Sequence, residues 1–394
     1  MSIATTPSAF DSAAALRPDC PGCGGVELSG EFRRSGQPVM LNYRCDSVAK
    51  AKEFGGGVLD LKECRRCGLI FNAAFDGTLI RYDAFYDNRQ GFSGAFREHL
   101  DHVACGLTQR YLTDGGRVLE VGCGRGEFLR LLRARGCARC VGYDTSCPEN
   151  RGEENAGIDY VRSYVAAADV KEEFDLIVCR HVVEHVEEIG PFLAELARIA
   201  RAAGGARVAV ETPEFEWIVD HGCICDVFYE HCNYFAMPVL AGLCERAGFE
   251  VIRHERVFGD QYQLIELKVG SGPSTSPVGG GRLARFNKAI RKKESELSNA
   301  IRHGRGDAGW AIWGAGAKGV TLSNLLGDAN LEAVIDSNPA KQGGFIPGIG
   351  TGVISPEDER IPRLGLILIA NPMYEVEIRE VLRLQAYTGN MLVV

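Results

Sequence analysis

Three glycines and one acid mark the part of this chain best suited to hold a ligand. Val118-Leu-Glu-Val-Gly-Cys-Gly-Arg-Gly-Glu-Phe-Leu129 runs from an apolar stretch through Gly122, Gly124 and Gly126 into a helical pattern, and Asp144 closes the next apolar stretch. Glycines let the backbone approach a ligand without a Cβ in the way, and an acid at a strand end can accept two ribose hydroxyls. A nucleoside is the expected ligand. The dinucleotide fingerprint G-x-G-x-x-G places its third glycine one residue further on, whereas here the spacing is Gly-x-Gly-x-Gly with Glu120 just ahead.

Two further constellations carry chemistry. Cys20-Pro-Gly-Cys23 and Cys64-Arg-Arg-Cys67 are each followed by glycine. Two residues between thiolates let both face one ion, and four such ligands make a closed tetrahedral zinc site with no position left for water. Zinc there is expected to staple a small lobe rather than to catalyse. Cys137-Ala-Arg-Cys140 repeats the spacing without a second pair nearby and is expected to pack in the core. The third constellation is Phe228-Tyr229-Glu230-His231-Cys232-Asn233-Tyr234-Phe235. His231 titrates in the range useful to a general base, and Glu230 beside it could fix its tautomer. Taken in isolation, the dipeptide reads rather as a loop cap with a solvated acid.

The elements that position these residues alternate. Strands are expected at 117–121, 140–143, 159–161, 175–179, 207–211, 249–254 and 263–269, with helices between them, as a doubly wound α/β sheet demands. Residues 1–90 are poor in helical period and form the expected zinc lobe, and 91–270 form the seven-stranded domain. Residues 271–281 read as a Gly/Pro/Ser linker, and 283–302 as an exposed, charged helix. From 282 to 394 the strand-glycine-helix pattern restarts with Ala311-Ile-Trp-Gly-Ala-Gly-Ala-Lys-Gly319, and further strands are expected at 331–336, 352–355, 364–370 and 391–394. Gly314, Gly316 and Gly319 formally match the dinucleotide spacing, with Asp336 near the distance of a ribose acid. Lys318 inside that loop could instead meet a phosphate.

Composition narrows the class. The chain has 394 residues, net charge −8 and 15 cysteines. It is long enough for two or three domains, and no global basic field draws it to nucleic acid or an anionic membrane. Residues 1–16 lack the basic start and apolar centre of a secretory signal, so the cytoplasm is expected, with cysteines as thiols or metal ligands.

The 118–129 stretch resembles the first motif of S-adenosylmethionine-dependent methyltransferases, in which the loop meets the amino-acid end of the cofactor and the acid matching Asp144 holds the ribose. Taken together, the two Cys-x-x-Cys pairs, that motif, Glu211-Thr-Pro213, Tyr229-Glu-His-Cys-Asn-Tyr-Phe235, Gly314-Ala-Gly-Ala-Lys-Gly319, Val334-Ile-Asp-Ser-Asn-Pro-Ala-Lys-Gln342 and Asn371-Pro-Met-Tyr374 resemble the sugar C-methyltransferases. One relative of that kind makes the C3-methyl branch of a deoxysugar in tetronitrose biosynthesis. The resemblance spans nearly the whole chain. It implies a zinc lobe, a class I methyltransferase domain and a Rossmann-like tail that binds a nucleotide-linked sugar rather than NAD.

The resemblance also implies the reaction. A 4-keto group acidifies C3–H, the histidine matching His231 abstracts that proton supported by Glu230, and the enolate carbon takes the methyl. His185, in Val182-Val-Glu-His-Val186, matches a histidine near the methyl site, with a structural or a catalytic role equally open. Two tyrosines of the family hold or polarise the ketosugar. Tyr86 offers itself for one, with Tyr82 as a further candidate, but Phe228 stands at the other, with Tyr229 one step later. Phenylalanine cannot donate to an enolate oxygen, so Tyr229 or Tyr86 takes that role or the acceptor differs. An O- or N-methyltransferase is the alternative, and Lys318 is the candidate for the phosphates.

Overall fold

The computed structural model describes residues 16–81, 86, 91–113, 115–147, 157–270, 280–327 and 330–394. Tyr82 and most of the expected linker, 271–279, lie outside the described residues.

The first unit is a small antiparallel sheet of β1 (Leu28–Gln37), β2 (Gly57–Cys64) and β3 (Ile70–Asn72). The second follows helix Gly94–Tyr111, whose N-terminus is capped by the Ser93 hydroxyl accepting from Phe96 N at 3.3 Å. Its strands are β4 (Arg117–Val121), β5 (Arg139–Tyr143), β6 (Ile158–Val161), β7 (Leu176–Arg180) and β8 (Arg207–Pro213). A two-residue strand, β9 (Asn233–Tyr234), precedes β10 (Phe249–Val257) and β11 (Tyr262–Val269). The seven-stranded order is β10-β11-β8-β7-β4-β5-β6, with β11 antiparallel to both neighbours and the others parallel. All seven strands lie within a few residues of the stretches read from the sequence; the central ones, such as β7 and β8, are buried along almost their whole length and read as near-continuous apolar runs. The order reverses between β4 and β7, and the carboxyl ends of those two strands form the crevice where such sheets bind ligands.

β9 does not join that sheet. It pairs with β3 of the first unit, Ile70 opposite Tyr234 and Phe71 opposite Asn233. Two residues carry no readable period, so this pairing was not expected, and it fixes the His231 segment against the lobe.

The third unit is a parallel sheet of β12 (Trp310–Trp313), β13 (Leu331–Ile335), β14 (Val353–Ile354), β15 (Leu366–Ile369) and β16 (Asn390–Val393), in the order β14-β13-β12-β15-β16. Helix Arg282–Gly304 joins the units and is not merely a solvated face. Leu283, Phe286, Ile290, Leu297 and Ile301 are buried along one stripe, each worth about 1.5–3 kcal/mol. Phe286 stands 5.3 Å from Phe32 of the lobe and 5.5 Å from Phe215 of the central unit. The Glu63 carboxylate from β2 accepts from the N–H groups of Gly281 at 3.0 Å and Leu283 at 3.3 Å, capping the helix. Among the described residues, no helix is long and apolar enough to cross a membrane. Cys137 and Cys140 are both buried, and the Cys137 thiol donates to Gly116 O at 2.9 Å, as core packing requires.

Candidate active site

The two cysteine pairs converge through one turn used twice. Gly24 N donates to Cys20 O at 2.8 Å and Gly68 N to Cys64 O at 2.8 Å, while Cys20 N and Cys64 N donate to the carbonyls of Gly25 and Leu69. Gly24 and Gly68 both have positive φ, 68° and 77°, which closes each knuckle. The sulfurs of Cys20 and Cys67 are 3.5 Å apart, those of Cys23 and Cys64 3.6 Å, and all four lie within 4.8 Å of one another. Thiolates about 2.3 Å from one tetrahedral ion stand about 3.8 Å apart, so the donor set fits zinc. Contact with Cys64 and Cys67 pushes the Cys20 thiol pKa up, so without a cation the four sulfurs do not all ionise.

At the switch point lies a cavity of about 620 Å³ lined by Glu120, residues 122–125 of the glycine loop, Asp144 and Arg180. That volume suits a nucleoside-sized cofactor. Gly122, Gly124 and Gly126 all have positive φ, at 75°, 50° and 76°. A Cβ on Gly126 would overlap the Tyr160 hydroxyl, so glycine is required there. Asp144 accepts from Gly124 N at 2.9 Å with one oxygen and from Ser146 N at 2.7 Å with the other, which locks its carboxylate at the cavity edge with lone pairs to spare. Glu120 is 3% exposed with one oxygen unpartnered among the described residues, and burial pushes its pKa up to about 8. A buried acid short of a donor beside a glycine loop fits the ammonium end of S-adenosylmethionine.

A second cavity of about 250 Å³ lies between the central unit and the tail, with Asn42 of the lobe on its rim. The two cavities share Tyr86, His181 and His185 as a common wall. His231 lines the second cavity, its ring 4.8 Å from that of His185 and 4.0 Å from that of Phe228. Burial, and then the neighbouring His185, hold the His231 pKa well below 6.5, so the ring is neutral at pH 7 with a lone pair available. His185 Nδ1 lies 2.8 Å from Glu230 O. A carbonyl only accepts, so Nδ1 carries a hydrogen.

Three sequence expectations need correction. The Glu230 carboxylate does not brace His231, because its oxygens accept from Leu41 N at 2.5 Å and from the Tyr86 hydroxyl at 3.0 Å. Neighbours in the chain point apart here, and Glu230 instead ties the lobe and Tyr86 to the shared wall. Tyr229 does not face the second cavity. It is 1% exposed, and its hydroxyl accepts from Asp76 N at 2.9 Å and donates to Asp76 O at 3.4 Å, since Phe228 and Tyr229 leave the backbone on opposite sides. Lys318 lines the cavity but is not a spare cation, for its Nζ donates to Asp226 at 2.8 Å and Gln261 at 3.0 Å.

The carboxylate that does approach His231 is Glu184. One ligand atom from each of Glu184, His185 and His231 lies within 4.8 Å of the others. Glu184 belongs to a buried charge network: Thr212 Oγ1 donates to it at 2.9 Å, and His181 Nδ1 stands 3.4 Å away. His181 Nε2 stands 3.6 Å from Glu211, which also takes Arg180 Nε at 2.6 Å and His99 Nε2 at 2.5 Å. Burial lowers the His181 pKa, but Glu184 and Glu211 overcome it and raise the group to about 9. The same network, against burial, pulls Glu184 down to about 2. His181 has φ of 52°, an uncommon backbone for a non-glycine residue, and it turns the chain at the end of β7 into the wall. Sequence reading missed His99, Arg180, His181 and Glu184 as a set because His99 comes from the distant helix Gly94–Tyr111; the other three lie at or just after the end of one apolar strand, the available signal.

The tail repeats the cofactor loop's geometry. Asp336 accepts from Ala315 N at 2.6 Å and from Asn338 N at 2.7 Å, as Asp144 does from Gly124 and Ser146. Gly314, Gly316 and Ala317, at the N-terminus of helix Ala317–Leu326, line the second cavity.

Residues 96–254 match the model of a methyltransferase domain, and residues 281–394 that of a C-methyltransferase C-terminal domain. The ubiquinone biosynthesis O-methyltransferase of Rhodopseudomonas palustris is 30% identical over 97 residues, 23% of this chain and 38% of the relative. That of Nitrobacter winogradskyi is 32% identical over 109 residues, 26% of this chain and 41% of the relative. The alignments thus span less than half of these relatives' length. Magnesium protoporphyrin IX methyltransferase from Synechocystis, solved with bound SAH, shares 19% identity at a TM-score of 0.34 over 45% of this chain and 84% of its own. The chain therefore carries the class I, S-adenosylmethionine-dependent methyltransferase fold, and its residues 281–394 are similar to a C-methyltransferase C-terminal domain.

Proposed function

We propose that this protein methylates a carbon, C3, beside the keto group of a nucleotide-linked 4-keto-deoxysugar, with His231 as general base. The observation that carries the reading is the wall of Tyr86, His181 and His185 common to both cavities, with neutral His231 on the acceptor side. When bound, S-adenosylmethionine supplies an electrophilic methyl on a sulfonium and leaves as a neutral thioether. His231 takes the C3 proton, the C–H electron pair passes into an enolate, and the enolate carbon forms the new C–C bond as the C–S bond breaks. The imidazolium then returns its proton to solvent. A base whose pKa is held low is available at neutral pH, and such proton transfer contributes about 10²–10⁴ in rate.

The match of the tail to a C-methyltransferase C-terminal domain supports a carbon acceptor. The amide-rich start of helix Ala317–Leu326 on the cavity wall suits the sugar's phosphates. We assign structural zinc to Cys20, Cys23, Cys64 and Cys67, and the cofactor contacts to Glu120, Gly122, Gly124, Gly126 and Asp144.

A second reading, an oxygen or nitrogen acceptor, rests on Phe228 in place of a phenol. Incubation in D₂O with S-adenosylhomocysteine and a panel of nucleotide-linked 4-ketosugars tests the choice. Deuterium entering C3 of one sugar is the expected result. Absence of exchange across the panel, with methylation found on a heteroatom, overturns the carbon reading.

A further inference from the structure

An enolate needs a hydrogen-bond donor at its oxygen, and Phe228, whose ring lies 4.0 Å from that of His231, offers none. Most tyrosine hydroxyls around His231 are already committed. Tyr229 is bonded to Asp76, Tyr234 donates to Phe228 O at 3.1 Å, and Tyr86 donates to Glu230 at 3.0 Å.

Tyr262 stands apart from these. It opens β11, which runs antiparallel to β8, so its first residue lies opposite Pro213 at the carboxyl edge of the parallel strands, where the reacting groups gather. Its side chain is 7% exposed and lines the acceptor cavity. Phe258 stacks on the ring at 5.1 Å and 17°, and the His181 ring meets it edge-on at 4.7 Å, so the phenol is held rigidly. No hydrogen-bond partner for its hydroxyl is found among the described residues. Gln263, next along the strand, shows the contrast, since its amide donates to Phe235 O at 2.7 Å on the opposite face of the sheet.

We infer that Tyr262 is a catalytic residue, donating from its hydroxyl to the oxyanion that forms on the acceptor. The inference rests on the carbon-acceptor reading above. The phenol keeps its proton throughout; the hydrogen bond strengthens as charge moves onto oxygen and relaxes as carbon takes the methyl. Burial keeps the phenol pKa well above its ordinary value, consistent with a donor that stays protonated. Loss of one such preorganised donor costs about 10²–10³ in rate.

The test uses the zinc-loaded full chain, with C3 deuterium exchange and methyl transfer measured for wild type and Tyr262→Phe, and calorimetry with S-adenosylhomocysteine as a check on the cofactor site. Both rates should fall about 10²–10³-fold in the variant while cofactor affinity stays within about twofold. Exchange in Tyr262→Phe at the wild-type rate overturns the assignment. If phenylalanine disturbs the sheet edge, 3-fluorotyrosine and 3,5-difluorotyrosine at position 262 keep the ring and grade its acidity, and exchange rates indifferent to that series overturn it as well. Wild type that exchanges no sugar in the panel defeats the parent reading, and this inference with it, whereas exchange in wild type alone supports both.

Discussion

Replacing His181 with asparagine should destabilise the protein in a pH-dependent way. Asparagine tolerates the left-handed backbone that His181 adopts at φ 52°, so the substitution removes the ring with little new strain. What is lost is a cation between two acids, Glu184 at 3.4 Å and Glu211 at 3.6 Å. Burial opposes the charge, yet those acids carry the group from 6.5 up to about 9. That interval is worth about 3 kcal/mol as an upper figure. Because the folded pKa is the higher one, the stabilisation is complete below pH 6.5 and disappears as pH rises through 9. The difference in unfolding free energy between wild type and His181→Asn should therefore be about 3 kcal/mol larger at pH 6 than at pH 9.5. Urea denaturation of both proteins at several pH values, followed by circular dichroism, measures it. A difference that is flat with pH, or that grows toward alkaline pH, refutes the placement of a protonated His181 in the wall.

Tyr229→Phe removes the hydrogen bonds to Asp76 and should cost about 1 kcal/mol in the same denaturation assay while leaving methyl transfer unchanged. A hundredfold loss of turnover would return Tyr229 to the substrate. Cys67→Ser opens the four-sulfur cluster, so elemental analysis should show zinc falling from one per chain to well below one, and hydrogen exchange should quicken in β1–β3 before the central sheet. A chain with no zinc to begin with contradicts the metal assignment.

The central sheet and its loop were legible because their determinants are local. Apolar runs such as 117–121 and 176–180 are buried whatever surrounds them, and a glycine with positive φ announces itself by type. The cysteine knuckles were legible for the same reason. The partnership around His231 was not. Glu230 is adjacent to it in the chain but turns toward Leu41 and Tyr86, and the carboxylate that does approach, Glu184, comes from another segment. Sequence proximity predicts contact along a helix face; it says nothing of the kind across an irregular turn. The charge attributed to helix Arg282–Gly304 hid its apolar stripe, because Leu283, Phe286, Ile290, Leu297 and Ile301 are only five of its residues. β9 was invisible since two residues hold no period, and its pairing with β3 is a property of the assembled lobe.

The most direct measurement compares His231→Asn with wild type in single-turnover methyl transfer, alongside calorimetric affinity for S-adenosylhomocysteine. The account predicts cofactor affinity nearly unchanged and transfer slowed about a hundredfold or more, with the acidic limb of the wild-type pH profile, set below 6.5, gone from the variant. Affinity and transfer falling together, or transfer surviving intact, would contradict it.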